Sequence, residues 1–465
     1  MSFAELIASV QQFVWGPVLM ILLVGTGLFL TVRYKFVQIR GFKHGAGILS
    51  GKYDRERDPG EITHFQALMA ALSATVGTGN IVGVATAILT GGPGALFWMW
   101  ITALVGMATK FSSCTLAVRF RRVDDKGVSH GGPMHYIEHG MGKNFKWLAV
   151  MYALFTMFAS FGIGNMFQIN NIATSLNFLV NGDKAPTFLF NIVTGVVVAV
   201  LVGAVILGGI KSIGKVAAKI VPFMCVFYIG AGLIIIFKNF TMIPEAFREI
   251  FYYAFHTPEA LAGGLLGTVV RNGVARGLFS NEAGLGSAAI AHGAAKTKEP
   301  VREGLVAMLE PFIDTIMICT ITGLIIVMTG AHEIFSDKGE LTSRAFEIGL
   351  NSALGGKIVA FGIVLFAFST LISWSYYGDR ASDYLFGERA VVPYRWIYLG
   401  FLIFGAVIQL DVVIGFSDIM NAMMALPNLI ALIVLSPFVA AISKDYFKRM
   451  KAEKSEKRKE KSAVE

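Results

Sequence analysis

The chain has 465 residues, of which 55% are hydrophobic and only 15% charged, with a mean hydropathy of +0.63. That charged fraction lies far below the roughly 25% of soluble domains, which excludes an ordinary water-soluble globule and indicates an integral membrane protein. The net charge of +9 would suit a nucleic-acid partner if it formed one patch, but it is dispersed among short segments between apolar runs.

A hydrocarbon core of roughly 30 Å takes about 20 apolar residues in helix. Eleven stretches meet that size: 13–32, 65–89, 95–118, 147–176, 188–207, 216–237, 261–291, 305–328, 359–377, 396–410 and 414–442. The first is expected to stay in the mature protein, because residues 1–12 hold no Lys or Arg and its apolar run is long for a leader peptide. With segments assigned alternately to the two faces, 31 of the 40 Lys and Arg fall on one face. The opposite face holds only Lys184, Lys238, Arg248, Lys338, Arg344 and Lys357, and Lys110, Arg271 and Arg276 lie within spans. This bias predicts a cytoplasmic basic face, an N-terminus outside and a C-terminus inside. The basic tail reads as a topology anchor touching anionic lipid, with no nucleic-acid role. Cys114, Cys225 and Cys319 each sit in an apolar run and read as packing residues.

Beyond the first helix and its linker, 1–62, the spans divide into two sets of five, 63–240 and 241–443, followed by the tail 444–465. Five crossings are odd, so the second set enters from the other face and any structural repeat is inverted. Each set opens on a helix interrupted by glycine: VGTGN at 76–80 and SNEAGLG at 280–286. Paired interruptions of this kind are the sequence pointer to a midplane binding site in a secondary transporter.

An unwound turn in lipid leaves main-chain groups that protein, ion or ligand must satisfy. A break near Gly77 places the amides of Thr78, Gly79 and Asn80 at a positive helix end, suited to a carboxylate, and the carbonyls around Ala74 and Thr75 at a negative one, suited to a cation. Small-residue packing of Gly79 and Gly83, with Asn80 bonded to a neighbour, is the competing account. At the second break, Ser280, Asn281 and Glu282 lie at membrane depth, where ionisable groups are costly. Its carbonyls could take a substrate ammonium, or Arg271, Arg276 and Glu282 could pair. FSTLISW, 368–374, presents Ser369, Thr370 and Ser373 within about a turn, oxygens for a small cation unless they bond back to their own helix. Gln168 and Asn171 face protein, as ligand contacts or interhelical bonds; Asp314 and Lys110 are deep without an assigned role.

HYIEH, 135–139, matches H-x-x-E-H of some zinc proteases. No third ligand follows at a recognisable distance and Gly131, Gly132 and Pro133 put it in a loop, so an interfacial segment is the expectation and a membrane metalloprotease the weaker alternative. A channel would need symmetric filter sequences or rings of charge, and neither is evident.

GGPGALFWMWITALVG at 91–106 resembles the signature of the sodium/alanine symporter family, the alanine or glycine:cation symporters. HFQALMAALSATVGTGNIVGVATA at 64–87, GGIKSIGKVAAKIVPFM at 208–224, RGLFSNEAGLGSA at 276–288 and WSYYGDR at 374–380 are similar to the same family. The resemblance implies an all-α fold of the leucine transporter class, a five-plus-five inverted repeat behind one additional helix. It implies sodium-coupled uptake of a small neutral amino acid, alanine or glycine, with Na⁺ as the co-transported ion and no prosthetic group or enzymatic activity. It implies a substrate carboxylate at Thr78, Gly79 and Asn80, and a pocket lined by Gln168, Phe279, Asn281, Thr370 and Trp374. A sodium site is implied between Ala74, Thr75 and Gly77 and the residues Ser369, Thr370 and Ser373. Asn80 and Ser280 resemble a further sodium site of the wider fold class. Proton coupling, with Glu282 as carrier, is the alternative.

Overall fold

The computed structural model describes residues 3–182, 184–256, 267–408 and 411–464. Residues 261–266, at the start of the expected seventh span, and 409–410, at the end of the tenth, lie outside the described residues.

Helices α1 (Phe3–Val14) and α2 (Pro17–Arg33) lead in, with Pro17 at the first turn of α2, where a missing N–H costs nothing. The first interrupted helix is α3 (His64–Thr75) and α4 (Val82–Gly91). Thr63 starts α3 through a capping box: its hydroxyl accepts from the Gln66 amide at 3.2 Å while Gln66 Oε1 accepts from its own amide at 3.1 Å. Then come α5 (Ala95–Phe120), a hairpin of β1 (Arg122–Val123) and β2 (Ser129–His130), and α6 (Pro133–Gly140). Next, α7 (Lys146–Phe161) runs through a π turn at Gly162–Met166 into α8 (Phe167–Asn181), followed by α9 (Phe188–Ile206) and α10 (Gly209–Lys238).

An amphipathic helix, α11 (Ile243–Phe255), precedes the second interrupted helix, α12 (Thr268–Asn281) and α13 (Ala288–His292). The chain continues as α14 (Pro300–Ala307), a π stretch at Phe312–Cys319, α15 (Thr320–Met328), and the short α16 (Ala331–Ile334) and α17 (Leu341–Leu350). It ends with α18 (Leu354–Phe386), α19 (Val391–Gly405) and α20 (Asp411–Val464), the last containing Pro427 and Pro437.

Among the described residues, seven helices are continuous, long and apolar enough to cross a bilayer, and α3 with α4 forms a further span bent by 61°. Among the described residues, the helices at three other expected spans are shorter. Residues 13–32 divide at Gly16, leaving the 17-residue α2; α12 has 14 described residues, two of them Arg271 and Arg276; α19 has 15. The chain is nonetheless a multi-pass membrane protein.

The halves of the two interrupted helices pack crosswise, α4 against α12 and α3 against α13. A leading half meeting the other helix's trailing half is what an inverted repeat requires. The long α18 lies across α3, α7, α8 and α10, which sets its middle against the first break.

Candidate functional site

Helix α3 ends at Thr75; Val76 and Gly77 turn extended, Thr78–Asn80 form one 3-10 turn, and α4 follows. Thr78, Gly79 and Asn80 are all buried. The turn holds itself: the Gly77 amide donates to Asn80 Oδ1 at 2.9 Å and the Asn80 amide to the Gly77 carbonyl at 3.2 Å. Asn80 therefore differs from the sequence expectation of a free amide, because a 3-10 turn closes on the residue three places back. The positions left for an anion are the amides of Thr78 and Gly79.

Gly79 faces the second break. A β-carbon built there lies 3.5 Å from both the Phe279 ring and Ser280 Cα, so the two interruptions touch through a residue with no side chain. A β-carbon at Gly77 would stand 2.9 Å from Thr370 Oγ1, which puts the α18 hydroxyl on the uncoiled backbone. Thr78 Oγ1 reaches Gln168 Oε1 at 3.4 Å, and Gln168 Nε2 donates to the Ile163 carbonyl at 3.0 Å inside the π turn. Gln168 is thereby placed beside the break, whereas Asn171, whose amide donates to the Phe167 carbonyl, lines a cavity farther along α8.

The hydroxyls of α18 divide. Ser369 Oγ lies 2.9 Å from the Phe366 carbonyl and 3.2 Å from that of Ser73, while Ser73 Oγ donates to the Ser369 carbonyl at 2.7 Å, so this pair stitches α18 to α3. Thr370 Oγ1 donates to Phe366 at 3.0 Å and keeps its lone pairs for the Gly77 side. Ser373 Oγ is buried without a hydrogen-bond partner among the described residues. Ala74 and Thr75 are buried on the facing helix; Thr75 Oγ1 bonds back to the Ala71 carbonyl at 3.3 Å. The sodium candidates thus gather where α3 ends against α18, with the Thr370 and Ser373 oxygens the least committed.

The second break is closed by side chains of the break and of the helices around it. Glu282 adopts the left-handed region at φ +52°, and Gly284 and Gly286 follow at +92° and +85°, values glycine adopts without strain. Asn281 Oδ1 accepts from the Ala283 amide at 3.0 Å and its Nδ2 donates to Thr315 Oγ1 at 3.2 Å, so both ends of this amide brace the uncoiled segment. Asn428 Nδ2 donates to the Gly284 carbonyl at 2.7 Å, where a substrate ammonium had been one reading. Glu282 accepts from Trp374 Nε1 at 3.2 Å and from the Ser287 hydroxyl. It does not pair with Arg271 or Arg276; Arg276 lies 5.7 Å over the Phe279 ring. Trp374 is buried, and its Cβ and Cγ back so closely onto Gly164 that no larger residue fits there.

Two buried groups without a sequence-derived role take part. Asp314, in the second π stretch, accepts from Asn80 Nδ2 at 2.6 Å, Ser280 Oγ at 2.9 Å and Thr315 Oγ1 at 2.7 Å, so one carboxylate ties both breaks together. Lys110 Nζ pairs with Glu310 at 2.8 Å, both buried.

At the basic face a buried hydrogen-bonded cluster joins α3, α13 and α14. Buried Glu303 carries an imidazole on each oxygen, His64 from the start of α3 and His292, at 2.5 Å, from the end of α13. Arg121 donates to the carbonyls of Gly293 and Thr297, both at 2.8 Å, and of Pro59 at 2.6 Å. At the other face, a cavity of about 320 Å³ is bounded by Val82, the first residue of α4, and by Ser175, Glu340, Arg344 and Ile363. HYIEH lies on α6, where Glu138 accepts from the Tyr384 hydroxyl at 2.6 Å and the His135 and His139 rings are 6.1 Å apart.

A family model described as the sodium:alanine symporter family matches residues 1–460. The sodium/alanine symporter AgcS of Methanococcus maripaludis is 47% identical, covering 96% of this chain and 98% of the relative. An uncharacterized transporter of Haemophilus influenzae is 46% identical, with 97% and 98% covered. Among solved structures, MhsT in complex with L-phenylalanine superimposes at a TM-score of 0.50 and 12% identity over 83% of this chain and all of that one, a likeness of fold alone.

Proposed function

The chain belongs to the sodium:alanine symporter family, a membrane symporter of the leucine transporter fold class and not an enzyme, and from that premise we propose that it carries alanine, and glycine with it, into the cell together with Na⁺. The observation that carries this reading is the 61° break of the first span, whose buried turn lies against Thr370, three residues before the unpartnered Ser373 hydroxyl on the same helix. The amides of Thr78 and Gly79 receive the substrate carboxylate. The carbonyl ends at Ala74, Thr75 and Gly77, with Thr370 and Ser373, receive the ion; Ser369 holds α18 against α3. Gln168 positions the Thr78 hydroxyl. Phe279 and Trp374 fill the space beside the alpha carbon, which favours a hydrogen or methyl side chain over a branched one. Asn281 frames the pocket.

The cation next to the carboxylate makes each ligand strengthen the other's binding, and linkage makes that help reciprocal. At about 100 mV one Na⁺ contributes roughly 2.3 kcal/mol, and a tenfold gradient adds about 1.4 kcal/mol, on the order of 500-fold accumulation. Substrate enters through the 320 Å³ cavity, on the face we assign to the exterior from the charge bias, with the N-terminus outside. Release then requires parting of His64, Glu303 and His292. We take 63–240 and 241–443 as the two repeats whose rocking exchanges access, with 1–62 as an additional helix and linker and 444–465 as a lipid-facing basic tail.

The test is uptake of labelled alanine and glycine into proteoliposomes with sodium and pH gradients imposed separately. Accumulation driven by a sodium gradient at equal pH is the expected result. Accumulation driven by a pH gradient without sodium would replace this reading with proton coupling.

A further inference from the structure

Glu249 on α11, and His332 and Glu333 on α16, each point one potential metal-ligand atom to a common spot, all three atoms lying within 4.8 Å of one another. None of the transport residues is involved. The cluster sits on the face opposite the basic loops, where α11, the helix that opens the second five-helix set, meets the short helix after α15.

The local sequence fixes the imidazole. Gly330, at φ +64°, ends α15 and turns the chain into α16, so that His332 folds back over the last turn of the helix it follows. Its Nδ1 lies 3.4 Å from the Ile326 carbonyl and its Nε2 3.1 Å from Glu249 Oε1. With Nδ1–H directed at a carbonyl, Nε2 of a neutral ring presents a lone pair to a carboxylate, which is repulsive unless a proton or a metal cation lies between them. A carbonyl on the far nitrogen is also the outer contact that orients metal-ligating histidines. His332 is one-tenth exposed and Glu249 about one-fifth, so the pair is shielded but reachable, and Glu333 is exposed and can swing in.

We propose that Glu249, His332 and Glu333 form a binding site for a borderline divalent cation of the zinc type on the outer face of the protein. Tetrahedral Zn²⁺ with N and O ligands at about 2.0–2.1 Å separates them by about 3.3 Å. The observed 3.1 Å between His332 Nε2 and Glu249 Oε1 needs only a small widening, and Glu333 closes the third position from solvent. A fourth position stays open to water. One imidazole and two carboxylates suit zinc over Mg²⁺ or Ca²⁺, which take all-oxygen sets.

Occupancy would tether α11, which opens the second repeat and also packs against α5 of the first, to α16 within the second. On the transport reading above, that tether slows the rocking, so external zinc inhibits uptake.

The experiment is calorimetric titration of the full chain in detergent with ZnCl₂ at pH 7.5, with MgCl₂ as control. One zinc per chain is expected, weakened at least tenfold in His332→Ala and in Glu249→Gln, and unchanged in the double variant His135→Ala, His139→Ala. No zinc heat in the unmodified protein, or an isotherm unaltered by His332→Ala, overturns the site. Because His332→Ala and Glu249→Gln change opposite members of one ion pair, both must keep the unmodified melting temperature within a few degrees for the losses to count; if only one does, Glu333→Gln takes the other's place. Binding with undiminished zinc-free and zinc-treated uptake keeps the site and removes the tether. Binding with no sodium-driven uptake in any condition keeps the site and removes the transport reading.

Discussion

At the first interruption, Thr78–Asn80 make a single turn fastened by one side chain, Asn80, while the second runs from Glu282 to Ser287 and is fastened from all sides by Asn281, Asn428, Trp374 and Ser287. Both lie in corresponding helices and cost the same kind of backbone hydrogen bonds, yet they are satisfied differently. The second is a frame completed by the protein, and the first, on the reading proposed above, is completed by substrate and ion. The difference teaches that a broken membrane helix marks a binding site only where the side chains in and around it fall short of filling the vacancies. Asp314 joins the two by accepting from Asn80 of one and Ser280 of the other, so a change in one is felt by its counterpart.

The comparison is broken most severely by removing the contact between the interruptions. A methyl at Gly79 meets Phe279 and Ser280 at ordinary van der Waals distance, so Gly79→Ala is expected to retain much of its uptake. Gly79→Leu has no such room: overpacking of roughly 1–3 kcal/mol at the binding turn lowers alanine uptake about 100-fold in proteoliposomes. A leucine variant as active as the alanine one would detach Gly79 from the pocket.

Next in size is the ion. Thr370→Ala removes an oxygen facing Gly77 without touching the stitch made by Ser369, and loss of one charge-assisted contact is worth about 1.5–3 kcal/mol. The sodium concentration for half-maximal alanine uptake should rise about tenfold or more. Ser373→Ala should move it in the same direction, and an unaltered sodium titration in both variants would relocate the cation.

The second interruption predicts a change in stability instead. Asn281→Ala strands the buried Ala283 amide, at about 1–3 kcal/mol, while the Thr315 hydroxyl keeps its bond to Asp314. A lower melting temperature in detergent is expected, with the sodium half-saturation of the remaining uptake within about twofold. A large sodium shift at unchanged melting temperature would make Asn281 a ligand and erase the contrast between the breaks.

Much of this contrast was legible in the residues. Glycines flanked by polar residues inside apolar runs announced both interruptions, and the hydroxyl spacing of 369–373 announced the face of α18 that meets the first. What the residues could not announce was which polar groups would already be spent. Asn80 and Asn281 look alike as isolated amides in apolar helices, and only the approach of Asp314 and Thr315, more than 30 positions along the chain, decides their roles. The π turns at Gly162–Met166 and Phe312–Cys319 were hidden for a related reason: a π turn inserts one residue without altering composition, and it rotates Gln168 and Asp314 toward the site. The cluster of His64, Glu303 and His292 had only scattered signals, single ionisable residues near the ends of apolar segments, with no spacing to connect them. Helix boundaries were the least legible, because apolar length does not reveal that Gly16 divides one stretch.

The smallest expected effect separates two hydroxyls one residue apart. Ser369 and Thr370 both bond to the Phe366 carbonyl, yet Ser369 also faces Ser73 across the helix contact, whereas Thr370 faces the uncoiled Gly77. Ser369→Ala leaves the carbonyls of Phe366 and Ser73 without this donor while Ser73 Oγ still holds the Ser369 carbonyl, so the α3–α18 stitch is halved, not lost. A cost of about 0.5–1.5 kcal/mol in melting stability follows, with sodium half-saturation changed less than about twofold. If Ser369→Ala shifts the sodium titration as far as Thr370→Ala does, the ion lies deeper between α3 and α18 than the break itself, and the hydroxyl assigned here to packing belongs to the cation.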